Sequence, residues 1–74
     1  MDREFTALKR AIAKTLRERR KAMGLSQEAL ALEADVDRTY VSQIERSISN
    51  PSLLALHKLA KVLKLKVIDL LQSS

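Results

Sequence analysis

The sequence has no cysteine, and only one glycine and one proline in 74 residues. Without cysteine, neither a disulfide framework nor a thiolate metal site can supply stability, and the chain suits a reducing compartment. A domain of this size buries only about 60% of the surface its unfolded chain exposes, so the fold must rest on packing alone. β-Branched residues are few, whereas Ala, Leu, Lys, Arg, Glu and Gln favour helix almost everywhere. The expected class is all-α. No apolar run approaches the roughly 18–20 residues that span a bilayer, and Met1-Asp2-Arg3-Glu4 lacks the basic-then-apolar layout of a signal peptide. A single cytoplasmic domain over residues 1–74 is expected, with no membrane contact.

His57 is the one histidine. With no second His or Cys it offers no metal site, and it reads as a surface or interface residue. Ser42, His57 and an Asp could form a hydrolytic triad in principle, but no strand-turn-helix elbow or Gly-rich oxyanion loop accompanies them. Neither catalysis nor a cofactor nor a small-molecule ligand is expected.

The net charge of +5 invites a nucleic-acid partner, yet its distribution is uneven. Residues 1–24 carry eight basic and three acidic side chains, residues 25–46 two and five, and residues 47–74 four and one. Basicity therefore does not locate a DNA-reading segment. Pattern does so better.

Phe5, Leu8, Ile12, Leu16 and Met23 follow helical spacing that skips only position 20, where Arg20 occupies a core position. This predicts a first helix over about 4–23, closed at Gly24, with Arg17, Arg19, Arg20 and Lys21 complementing its dipole or touching a flanking phosphate. Ser26 is a suitable N-cap for a second helix over 27–34, whose inward face is Leu30, Ala31 and Ala34, with Leu25 stapling its start. Asp35-Val36-Asp37 reads as a tight turn in which Asp35 takes positive φ, Val36 plugs the core and Asp37 caps a third helix over 38–46. Val41, Ile44 and Glu45 face inward there. Asn50-Pro51 reads as the N-cap and first residue of a fourth helix, with Leu53, Leu56, Leu59, Ala60 and Leu63 facing inward. A fifth helix spans 67–71.

Two short helices joined by a three-residue turn, with small residues at their crossing and a polar outer face on the second, meet the requirements of a helix-turn-helix over about 26–46. Ala31 and Ala34 allow the close crossing. Arg38, Thr39, Ser42 and Gln43 supply donors and acceptors for base edges in a major groove wide enough for one helix. The start of the second helix, at Ser26 and Gln27, presents free N–H groups and a positive dipole end to a phosphate.

Leu25-Ser26-Gln27-Glu28-Ala29-Leu30-Ala31, then Asp37 through Arg46, then Asn50-Pro51-Ser52-Leu53, resembles the XRE family of lambda-repressor-like and Cro-like helix-turn-helix proteins. The resemblance covers about residues 8–71. The Asp-Arg-Thr-Tyr start of the third helix looks most like the controller proteins of restriction–modification systems. The resemblance implies a compact five-helix fold and a homodimeric transcriptional regulator of a palindromic double-stranded operator, with RNA polymerase as a further candidate partner. Gln27 matches a phosphate-clamping glutamine, and Arg38, Thr39, Ser42 and Gln43 match base-reading positions. Tyr40 and Arg46 match residues near the DNA backbone, and Ser26, Ser49 and Asn50 complete the expected phosphate set. Arg20 and Glu45 match a buried ion pair of phage repressors, in agreement with their inward spacing. Asp35 and Ser47 stand where the family commonly has glycine.

Leu65, Val67, Ile68, Leu70 and Leu71 exceed what one short helix buries. A dimerisation region over about 54–71 is expected, through Leu65, Val67, Ile68 and Leu71. The competing reading is an antitoxin-type interaction module with secondary DNA binding; it predicts an extended toxin-wrapping segment, which this sequence lacks. A basic membrane-surface protein is a third reading, disfavoured by the capped, punctuated helices.

Overall fold

A computed structural model describes residues 2–72. Among them lie five helices and no strand: α1 (Arg3–Ala22), α2 (Gln27–Ala34), α3 (Arg38–Glu45), α4 (Leu53–Val62) and α5 (Val67–Leu71). The all-α expectation holds, and most boundaries fall within a residue of those read from the pattern.

α1 begins earlier than expected because Asp2 caps it, accepting from the Glu4 and Phe5 N–H groups at 2.7 and 3.2 Å. Its first turns run past the core, leaving Phe5 and Leu8 exposed although their spacing matches the buried Ile12 and Leu16. α4 starts two residues later than Pro51. Ser52, not Asn50, is its N-cap, accepting from the Ala55 N–H at 3.1 Å, while the Ser52 N–H donates to the Tyr40 hydroxyl at 2.9 Å. That later start turns Leu53 outward, at 71% exposure, and removes it from the inward face.

The first four helices close in the same way. The N–H of the residue after each left-handed position reaches back across the last turn: Leu25 to Arg20 O, Val36 to Ala31 O, Ile48 to Gln43 O and Leu65 to Ala60 O, at 2.8–3.1 Å. Each closure requires one left-handed residue. Gly24 (φ 72°), Asp35 (58°), Ser47 (61°) and Lys64 (60°) fill these positions. The apolar residue that follows then folds back, and Leu25, Val36 and Leu65 pack against the core. Leu16, Leu30, Val41, Leu59, Leu63 and Leu70 form its fully buried centre.

A helix-turn-helix with a polar outer face

The α2–turn–α3 unit is held by its own capping groups. Ser26 Oγ accepts from the Ala29 N–H at 2.9 Å, and Asp37 Oδ1 accepts from the Thr39 N–H at 2.7 Å. Ala31 and Ala34 are buried on α2, which packs on α3, and side chains this small permit a close approach of the two helices. This arrangement leaves Arg38 and Thr39 exposed at the start of α3, with Ser42 and Gln43 half-buried one turn on. Arg38, Thr39 and Ser42 line one shallow hollow. Arg38 also borders a cleft of about 530 Å³ with Arg20, Ser26, Gln27 and Glu28, at the start of α2.

Beneath this face lies the expected ion pair. Arg20 Nε donates to Glu45 Oε2 at 2.6 Å and Arg20 Nη2 to Oε1 at 2.9 Å, a two-pronged grip with both residues buried. Gln27 Nε2 donates to the same Oε1 at 3.1 Å. Burial pushes the Glu45 carboxyl up, but the hydrogen bonds from Arg20 and Gln27 and the charges of Arg20 and Arg17 outweigh it, leaving the carboxyl below its ordinary range. The hydrogen bond to Glu45 raises Arg20 further above its already high value, against burial.

The other α1 arginines do more than complement their own helix. Arg17 Nη2 donates to Glu45 O at 2.6 Å, Arg19 Nε to Leu63 O at 3.0 Å and Arg20 Nη1 to Leu25 O at 2.9 Å. α1 thus satisfies carbonyls at the ends of α3 and α4 that no helical N–H can reach. Sequence reasoning missed this role. The available signal was the three-residue spacing of Arg17 and Arg20, which puts Arg17 beside any residue that Arg20 grips.

The remaining expected phosphate residues divide. Arg46 and Asn50 are exposed. Tyr40 is half-buried, and its hydroxyl, having accepted from Ser52, keeps its proton to donate. Ser49 is a correction: its Oγ is buried without a hydrogen-bond partner, in a region lined by Lys9, Ile12, Ile44 and Pro51, so its hydroxyl does not face a phosphate. The expected dimer residues divide too. Ile68 and Leu71 are exposed, but Leu65 and Val67 pack on the chain's own core, Leu65 because the closure of α4 folds it back. Leu70 is fully buried. His57 is exposed on α4. Among the described residues no His, Asp and Glu side chains cluster as a metal site, and no helix is long and apolar enough to cross a membrane.

A close-packed helix pair with a capped, outward-facing second helix defines a helix-turn-helix regulator. The chain belongs to the helix-turn-helix family, whose model matches residues 16–70. It is 39% identical over 67 residues to the control protein C.SmaI of Serratia marcescens, covering 90% of this chain and 80% of that protein. It is 49% identical over 47 residues to the control protein C.BamHI of Bacillus amyloliquefaciens, covering 64% of this chain and 58% of that longer protein. Among solved structures, the restriction–modification controller protein C.AhdI of Aeromonas hydrophila has a TM-score of 0.82 and 42% identity, covering 86% of this chain and 97% of that one. The lambda-repressor-like architecture and the likeness to controller proteins read from the motifs are both upheld.

Proposed function

We propose that this chain is a homodimeric transcriptional regulator of the restriction–modification controller type, which places α3 in the major groove of a palindromic operator. The observation that carries this reading is the polar face of Arg38, Thr39, Ser42 and Gln43, held outward by a scaffold that resembles C.SmaI over 90% of the chain. A further solved neighbour, the biofilm regulator SinR, was crystallised in complex with DNA and has a TM-score of 0.79 at 39% identity. Arg38 reads guanine, whose O6 and N7 accept two hydrogen bonds from one guanidinium. Thr39, Ser42 and Gln43 read neighbouring bases. Ser26, Gln27, Tyr40, Arg46 and Asn50 hold phosphates and fix register without reading sequence. Two copies joined through Ile68 and Leu71 of α5 and the adjoining part of α4 present two such helices to half-sites about one helical turn apart. The role is one of binding rather than catalysis, exerted in the cytoplasm on RNA polymerase at a promoter.

Selection on randomised duplexes, followed by salt titrations, tests the reading. Arg38→Ala should relax the selected motif at one base pair per half-site, at a cost of roughly 1–3 kcal/mol. Arg46→Ala should leave the motif unchanged, weaken binding to all sequences and flatten the dependence on log salt by about 0.9 for each phosphate no longer neutralised. An unchanged motif in Arg38→Ala with an altered one in Arg46→Ala would reverse the two roles. Failure to select any motif would remove sequence-specific binding altogether.

A further inference from the structure

We propose that Glu45 is the positioning residue of the phosphate clamp: by accepting a hydrogen bond from Gln27 it fixes which way the Gln27 amide faces, and so delivers the second amide proton to a DNA phosphate. This rests on the reading of Gln27 as a phosphate ligand given above.

A glutamine amide has two ends of nearly equal size, and only one of them donates. A phosphate oxygen only accepts, so a freely turning glutamine presents the wrong end in a large part of its conformations. An ionised carboxylate also only accepts. Glu45 therefore selects Nε2, and not Oε1, as the atom of Gln27 that faces it at 3.1 Å. Nε2 carries two protons. One is spent on Glu45, and the other remains for the cleft that Gln27 lines with Ser26 and Arg38.

Glu45 is fit for this role because it is itself held at its side chain and its backbone. Arg20 grips both carboxylate oxygens, and Arg17 holds the Glu45 backbone carbonyl. The residue closes α3, whereas the side chain it orients opens α2, 18 positions earlier. The buried pair thus has two separable effects. It stabilises the fold, and it sets the state of one ligand on the DNA-facing side.

The experiment compares Gln27→Ala in two backgrounds, the natural chain and Arg20→Met/Glu45→Met, where an apolar pair replaces the ions. Affinity is measured at fixed low salt for a mixed-sequence DNA duplex of about two helical turns, at a temperature where circular dichroism reports every variant folded. In the natural chain Gln27→Ala should weaken binding about tenfold, as expected for a hydrogen bond to a charged group. In the Met/Met background it should change binding by less than about twofold. Equal losses in both backgrounds overturn the positioning role while leaving Gln27 a ligand. No loss in the natural chain removes the ligand reading itself. A second measurement stands whether or not the Met/Met variant folds: the side-chain amide resonances of Gln27 in the free natural protein, identified by their disappearance in Gln27→Ala, should be displaced from those of the exposed Gln72. Coincidence of the two overturns the proposal.

Discussion

Removing either member of the Arg20–Glu45 pair leaves a charge in a place nearly closed to water, with side-chain exposures of 11% and 2%. Glu45→Ala should therefore destabilise by roughly 3–5 kcal/mol, whereas Arg20→Met/Glu45→Met should cost much less, since no ion is then stranded. Urea melts of the two variants check this, and equal midpoints would show that the two ions do not act as a pair. The lowered Glu45 carboxyl adds a pH dependence. Its contribution is complete above the ordinary carboxylate value of about 4.3 and is lost as pH falls through the lower folded-state value. Thermal melts from pH 7 downwards should show a steeper acid loss in the natural chain than in the Met/Met variant. Both residues were legible in the sequence because each falls on an inward helical position where an apolar residue was due. Ser49 was not legible: it lies in a loop without periodicity, and whether its hydroxyl faces solvent depends on the helix packed over it.

The helix closures make a prediction at the level of elements. Four left-handed positions serve the same geometry, and only Gly24 is free of the steric cost that a Cβ meets there, roughly 1–2 kcal/mol. Asp35→Gly, Ser47→Gly and Lys64→Gly should each stabilise by about 1 kcal/mol, equivalent to a Tm rise of roughly 4–8 °C. The reverse change, Gly24→Ala, should lower stability by a similar amount for backbone reasons alone, since an added Cβ at that position meets nothing within 4 Å. A calorimetric series over the four variants reads this directly. Asp35 and Ser47 were visible beforehand through turn chemistry and family pattern. Lys64 was not, because lysine carries no turn preference and its conformation follows from the packing of Leu65 on the core. The start of α4 was misplaced for a related reason. Asn50-Pro51 and Ser52 are both acceptable openings, and the Tyr40 hydroxyl, brought in from α3, takes up the Ser52 N–H at the later one.

For the whole molecule, the proposed dimer makes the division of the C-terminal apolar residues a test that separates association from folding. Ile68→Asp and Leu71→Asp should yield folded monomers, because both side chains are exposed in the single chain. Leu65→Asp and Val67→Asp should instead lower Tm, because both rest on the core. Sedimentation together with circular dichroism distinguishes the outcomes, and a natural chain that stays monomeric at high micromolar concentration, free and on DNA, would eliminate the dimer. Hydropathy and spacing gave all four residues the same standing. Only the folding back of the chain after α4 sets two of them apart.

The arginines of α1 have a consequence for how the chain matures on the ribosome. Arg17 and Arg19 find their carbonyl partners 28 and 44 residues further along the sequence. α1 is synthesised first, but its fastenings cannot close until residue 45 and then residue 63 have left the exit tunnel. Early lengths of nascent chain should therefore yield readily to protease, and resistance should appear only once the end of α4 is out. A truncated product lacking α4 would keep the partners of Arg17 and Arg20 on Glu45 but lose Leu56, Leu59 and Leu63 from the core, so the helix-turn-helix would lack much of the packing that holds it.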